Sequence, residues 1–233
     1  MGRHTRTRRP DRPIPVAPVR SRPLRTYNPI SIAPIPEGDH IPMVLAKTYF
    51  EDKNKWTMLR DVLERFGAES GLFSDLNIRP LGDSESEPFQ LRVKIEGPPS
   101  NLIDVGYGVS QVLPILVDAI LADRGDTFLL QQPEVHLHPR AQAALGSFLV
   151  RMTEQGKRFI VETHSDYLID RIRMEVRDSK RTTPDDVAML FFRRTGIQVA
   201  VDSMRLDSEG NLLNVPTDYR DFFFAEERRL LGV

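Results

Sequence analysis

Three stretches of this 233-residue chain collect the residue types that do chemistry. In residues 127–139 (TFLLQQPEVHLHP), four residues that read as a buried strand run into Gln131, Gln132, Pro133 and Glu134, then His136, Leu137, His138 and Pro139. Polar groups at the end of a core strand, just before a helix, sit where α/β proteins place their reactions. His136 and His138 alternate, so an extended chain carries both imidazoles on one side, as a metal pair needs. No further ligand stands nearby at a recognised spacing. Residues 159–166 (FIVETHSD) again end a strand in polar groups, with His164 at its edge. Residues 104–111 (DVGYGVSQ) place Gly106, Gly108, Ser110 and Gln111 before an apolar run. Glycines let backbone N–H groups approach a ligand, and a helix N-terminus adds a positive dipole end, a combination suited to phosphate. The same residues also make an ordinary turn.

The elements that must position these groups follow from periodicity. Val112, Leu113, Ile115, Leu116, Ala119 and Ile120 predict a strongly apolar helix over 110–122, with Pro114 early in it, where a missing N–H costs little. The strand 127–131 comes next. A helix over 139–155 opens on Pro139 and carries Ala141, Ala144, Leu145, Phe148, Leu149 and Met152 on one face. Residues 158–162 (RFIVE) form another strand, and Ser165 or Asp166 caps the helix that follows. Strands over 187–192 and 197–201 flank a turn at Gly196, and 219–231 is helical. The alternation of helix and strand from 110 to 192 predicts an α/β fold with a parallel sheet covered by helices. In such a sheet the ends of 127–131 and 158–162 face one crevice.

Upstream, Trp56, Leu59, Val62, Leu63 and Phe66 fall at helical spacing over 53–66, with Gly67 near the end. Residues 72–88 read as an acidic loop with Asp83, Glu85 and Glu87, and 89–95 (FQLRVKI) as a strand with one wet face. Residues 14–19 (IPVAPV) are an edge strand or a simple extended segment, because Pro15 and Pro18 interrupt them. Residues 1–12 read as disordered, and 20–42 as Pro-rich and extended.

Composition narrows the function classes. A hydrophobic share of 40% and a charged share of 28% suit a globular protein with a sizeable core, and a net charge of -1 selects no partner. The first 25 residues nevertheless hold Arg3, Arg6, Arg8, Arg9, Arg12, Arg20, Arg22 and Arg25 against Asp11 alone, which is either a nucleic-acid or phosphate contact or a solvated tail. With no cysteine, disulfides and thiolate metal sites are excluded, and a cytoplasmic setting is expected. No apolar run approaches the roughly 20 residues of a membrane span, so no membrane partner is expected. The basic start has no apolar h-region, and nine prolines by Pro42 oppose an amphipathic transit peptide.

In chain order, the Gly/Ser/Gln turn, the strand ending in polar groups and the next strand ending in His resemble one known arrangement. VGYGVSQVLPIL, FLLQQPEVHLHP and FIVETHSDYLIDRI, over about 101–175, are similar to the AAA-labelled ATPases with an ABC-like core. These sit near the OLD (overcoming lysogenization defect) nucleases and the chromosome-maintenance ATPases. VRSRPLRTYNP resembles a stretch they carry upstream. The resemblance implies a three-layer P-loop NTPase-like sheet flanked by helices. It implies that Gly106, Gly108, Ser110 and Gln111 match a signature loop that contacts the ATP γ-phosphate across a dimer. Gln131 stands at the Walker B acid position, which holds Mg2+ through water, and Gln132 at the catalytic glutamate. His136 to His138 fall in the D-loop, away from any metal role, and His164 matches the switch histidine.

Two departures shape the functional expectation. No G-x-x-x-x-G-K-S/T occurs in the chain, so the cradle for ATP phosphates must come from elsewhere. Gln131 and Gln132 offer amides where carboxylates are usual; Glu134 is the nearest carboxylate and the candidate base, sharing a face with Gln132 if the strand continues. Ser110 also stands where the signature's second glycine is expected. The chain is therefore expected to be the C-terminal lobe of an ABC-like ATPase domain (46–233) behind a basic, partly disordered segment (1–45), incomplete because the N-terminal P-loop part is absent. ATP and Mg2+ are expected with a P-loop-bearing N-terminal part or partner subunit, in a dimer that acts with a nuclease or effector, with phage defence or genome maintenance as the setting. The competing expectation is a degenerate, non-hydrolysing interaction module or truncated remnant.

Overall fold

A computed structural model describes residues 12–30, 32–84 and 86–232. The expected disorder of the first residues, and Arg3, Arg6, Arg8 and Arg9, lie outside the described residues, as does Glu85. Two units are distinguished, one ending at Arg171 and one beginning at Ile172. The boundary expected from composition, at residue 45, is a different division of the chain.

The first unit opens with β1 (Ile14–Val16), α1 (Ile41–Glu51) and α2 (Lys53–Ser70). The sequence pattern marks no helix at α1, because the segment enters through proline; Pro42 stands in its first turn, where proline is tolerated. Asp52 closes α1 and caps α2, its carboxylate accepting from the Lys55 N–H at 2.9 Å. An antiparallel sheet follows, of β2 (Asp75–Pro80), β3 (Phe89–Lys94) and β4 (Ser100–Asn101). β2 replaces the loop expected over 72–88: Leu76 and Ile78 alternate with polar residues and are buried, a short strand outweighed in the sequence by its acidic neighbours.

Next come α3 (Tyr107–Leu121), β5 (Thr127–Gln131), α4 (Pro139–Glu154), β6 (Arg158–Glu162) and α5 (Asp166–Asp178), close to the expected bounds. β5 is the centre of a parallel three-stranded sheet, with β1 on one side and β6 on the other. The 14–16 segment is thus an edge strand despite Pro15, which sits on the register line of Leu129. Ile14, Val16, Phe128 and Leu130 turn to the core, as does the apolar face of α4. Leu129 and Ile160, partners in register, lie on the other face, 38% and 63% exposed. Ser165 caps α5 as expected, its hydroxyl accepting from the Leu168 N–H at 3.0 Å. No described helix is long and apolar enough to cross a membrane.

The second unit holds β7 (Met189–Thr195), β8 (Gln198–Leu206), β9 (Leu212–Leu213) and α6 (Asp221–Leu231). β7 and β8 make the expected hairpin around Gly196, whose φ of 63° suits glycine. β7 does not extend the parallel sheet that the alternation pattern predicted for it. It pairs antiparallel with β8, because a two-residue connection allows a hairpin and a parallel crossover needs a dozen or more residues.

Candidate functional site

The carboxyl ends of β5 and β6 lie side by side. Gln131 and Glu162 are register partners, and the Gln132 N–H donates to the Glu162 carbonyl at 2.8 Å. There the strand stops. Gln132 adopts φ 43°, in the left-handed region, and its carbonyl accepts from the Val135 N–H at 3.2 Å. The Glu134 carbonyl accepts from the Leu137 N–H at 2.9 Å. The conditional alignment of Glu134 with Gln132 along one strand face is therefore not realised, because the chain turns between them. The turn directs Glu134 to the next strand end instead: its Oε1 accepts from the His164 backbone N–H at 2.8 Å. The two polar strand ends thus share one edge, as the α/β reading expected.

Each remaining site residue has a definite place. The His164 backbone is committed to Glu134, while the residue itself is exposed. His136 is exposed with φ 66°, its ring 5.4 Å from that of Tyr107. His138 caps α4 through Nδ1, which accepts from the Ala141 N–H at 3.4 Å. The histidines therefore do separate local work, and among the described residues no three His, Asp or Glu side chains gather as a metal cluster.

The Gly/Ser/Gln stretch is helix rather than loop. Gly106 is the N-cap of α3, and Gly108, Ser110 and Gln111 lie inside it and are buried. A Cβ on Gly108 would lie 3.0 Å from the His136 carbonyl, so glycine lets the helix start approach the strand-end turn. The Ser110 hydroxyl donates to the Tyr107 carbonyl at 2.9 Å. The Gln111 amide is bound on both sides: Oε1 accepts from the Arg20 N–H at 3.0 Å, and Nε2 donates to the Arg20 carbonyl at 3.1 Å. Ser110 and Gln111 therefore hold the fold together here, and only the Gly106 end of the loop is open.

Two residues absent from the sequence reading of the site stand in it. Glu162 brings an exposed carboxylate beside Gln131, a neighbour that the strand register alone reveals. Arg20 is 3% exposed, and among the described residues its Nε, Nη1 and Nη2 have no hydrogen-bond partner. Burial pushes its pKa down to about 10, opposed by the charge of Glu134. Arg25, another residue of the Arg-rich start, pairs at the surface with Asp104, its guanidinium donating at 2.5 and 2.9 Å.

Mg2+ favours carboxylate oxygens. Gln131 and Gln132 present amides, and one Glu134 oxygen already accepts from the main chain. These residues do not fit the cation by themselves.

Residues 50–170 match the protein family described as "AAA domain, putative AbiEii toxin, Type IV TA system". An OLD nuclease from Thermus scotoductus (strain ATCC 700910 / SA-01) is 26% identical over 106 residues, 44% of this chain and 20% of that protein. The chain thus spans about a fifth of the length of that curated relative. A solved structure described under ATP-driven dimerization and DNA-stimulated activation of SMC ATPases aligns with a TM-score of 0.47 at 13% identity, covering 76% of this chain and 94% of that one. An Smc head domain from Pyrococcus furiosus, bound to the C-terminal domain of ScpA, aligns at 0.47 and 9% identity, covering 76% and 39%.

Proposed function

The chain belongs to the AAA domain family that its residues 50–170 match, and on that premise we propose that it completes a composite ATP site. It is an ATPase-type module of the AAA/ABC class. In this reading Gly106 and Gly108 present the start of α3 to nucleotide phosphates, His164 senses them, and Gln131, Gln132 and Glu134 form the strand end that meets the scissile bond. The P-loop is supplied by another segment or subunit, since no G-x-x-x-x-G-K-S/T occurs in these residues. The observation that carries the proposal is the meeting of the two strand ends, with the His164 N–H on Glu134 and the start of α3 packed against the same turn.

The parallel sheet supports it. Such sheets are covered on both faces. Among the described residues Ile160 is mostly exposed, Leu129 is partly exposed and β6 is an edge, which leaves room for a P-loop-bearing layer. A dimer, a nuclease or effector partner, a role in phage defence and a cytoplasmic setting belong to the proposal as its context. Mg2+ would enter with the P-loop part, because the strand end does not fit it.

Calorimetric titration of Mg-ATP into the purified chain tests the central claim. No binding is expected with the chain alone, and binding is expected when a P-loop-bearing segment is added. Tight binding by the 233 residues alone would overturn it. A non-hydrolysing interaction module is the second reading, favoured by the Gln131–Gln132 amides. It predicts that the completed complex binds ATP without turnover, and that Gln132→Glu raises turnover.

A further inference from the structure

Among the described residues β6 has β5 on one side and no strand on the other. An open edge offers a row of unpaired N–H and C=O groups to any strand that fits, and folded chains blunt it with proline, a bulge or inward charges. β1, at the other edge of the sheet, carries Pro15. β6 has no proline and runs in unbroken register with β5 from Arg158 to Glu162. Its central residues, Phe159, Ile160 and Val161, are apolar on both faces, which is the pattern of an interior strand. The Arg158 N–H donates to the Asp126 carbonyl, and the Glu162 carbonyl accepts from the Gln132 N–H, so both are directed to the β5 side. Main-chain groups alternate in direction along a strand, and Phe159 and Val161 therefore turn theirs to the open side.

We infer that, without nucleotide, β6 pairs antiparallel with β6 of a second copy of this chain, across a two-fold axis at Ile160. In that register the strand is complementary to itself. Phe159 faces Val161 of the second copy and exchanges the open main-chain groups with it. Ile160, 63% exposed in the single chain, faces its own counterpart. Arg158 faces Glu162 of the second copy, and the symmetry repeats this pair at the other end. Both residues are exposed, and the Arg158 Nη2 donation to the Gly125 carbonyl at 2.9 Å holds the guanidinium at the start of the strand. Side chains directly opposite in a non-hydrogen-bonded pair approach closely, so opposite charges there favour the register. Parallel pairing in the same frame would set Arg158 against Arg158 and Glu162 against Glu162. The two-fold axis closes the pair, and no β6 edge is left for growth. The same edge has room for the proposed P-loop-bearing part, so the two occupants exclude each other; the inference does not rest on that reading.

Sedimentation velocity of the full chain without nucleotide, from about 1 to 300 μM, spans the weak association expected of so small an interface. A monomer–dimer equilibrium is expected. Arg158→Glu and Glu162→Arg each set like charges opposite one another at both ends, and each should weaken association by roughly tenfold or more. The double variant exchanges the two charges and should return to within about threefold of the wild type. A monomer across the whole range would overturn the inference. So would a dimer whose double variant stays as weak as the single ones, since only this register predicts the rescue. If a charge variant does not fold, Ile160→Lys decides, because it sets a cation against its own copy on the axis. It should abolish the dimer and leave the circular dichroism of the chain unchanged, and a dimer that survives it would refute the pairing. A dimer that appears only on adding Mg-ATP would refute it too. Because the central measurement contains no nucleotide, its failure leaves the ATP-site reading standing, and failure of ATP binding leaves the pairing intact.

Discussion

Gln111 shows how one residue type can satisfy two quite different demands. A glutamine at that place in a Gly/Ser/Gln turn suits a ligand, yet its amide is bound on both sides to the Arg20 main chain and is 1% exposed. Gln111→Ala leaves one buried N–H and one buried carbonyl unpaired, each costing about 1–3 kcal/mol. Urea unfolding should show a loss of that size, and limited proteolysis should show cleavage near residues 21–30. Equal stability in wild type and variant would remove the clamp from the account. Glu64 carries a pH signature of its own. Its pKa is raised by burial, opposed by the Arg60 hydrogen bond at 2.6 Å and reinforced by a hydrogen bond with Asp75. A carboxyl raised in the fold favours the folded state below the unfolded value, and that advantage is lost as pH rises through the folded value. Between about pH 4 and 7, the stability of the wild type relative to Glu64→Gln should therefore fall. A constant difference would contradict the raised value.

At the scale of elements, α3 is positioned by what its proline meets. Pro114 lies in the helix interior rather than early in a helix over 110–122 as the sequence suggested, because the helix begins at Tyr107. It removes the hydrogen bond that its N–H would give the Ser110 carbonyl. Its ring packs against Gly38, which adopts φ 87°; a Cβ there would lie 2.6 Å from Pro114 Cγ. Gly38→Ala adds backbone strain to that overlap and should cost about 1–3 kcal/mol, read from the denaturation midpoint. α4 is tied to the end of α2 by Arg140, which donates to the Ala68 and Glu69 carbonyls at 2.8 Å each. It meets α5 closely at Gly146, where a Cβ would lie 2.9 Å from the Leu168 carbonyl. These contacts fix the helices that frame the strand ends, and so the distance between Glu134 and His164.

For the whole molecule, the uncovered sheet face is the feature with consequences. A parallel sheet exposed on one side is unusual because its strands are built to be buried on both. Ile160 is 63% exposed, so Ile160→Asp should change the stability of the chain by no more than about 0.5 kcal/mol. The same variant should sharply weaken association with a P-loop-bearing segment. A large stability loss without any partner would show that the chain itself already covers this face. The second unit is a separate packing problem, in which a hairpin, a short strand and a helix form their own small assembly.

The sequence by itself determined the α/β class, the run from α3 to α5 and the three motifs that point to the family. Those signals are local: periodicity, caps and short spacings act within one element, as Ser165 does when it caps α5. It did not show β2 or α1, whose signals were masked by acidic neighbours and an opening proline. It left Glu134 on the face of Gln132 only if the strand continued, Gln111 as a ligand contact or part of an ordinary turn, and Arg20 as a phosphate contact or part of a solvated tail. Tertiary structure alone placed them. A left-handed turn at Gln132 sent Glu134 to His164, and burial of α3 against the Arg20 segment fixed Gln111 and left a guanidinium inside. The cause is that hydrogen-bond satisfaction and burial are set by partners some 30 to 91 residues away, Glu134 with His164 and Arg20 with Gln111, and no local pattern encodes them.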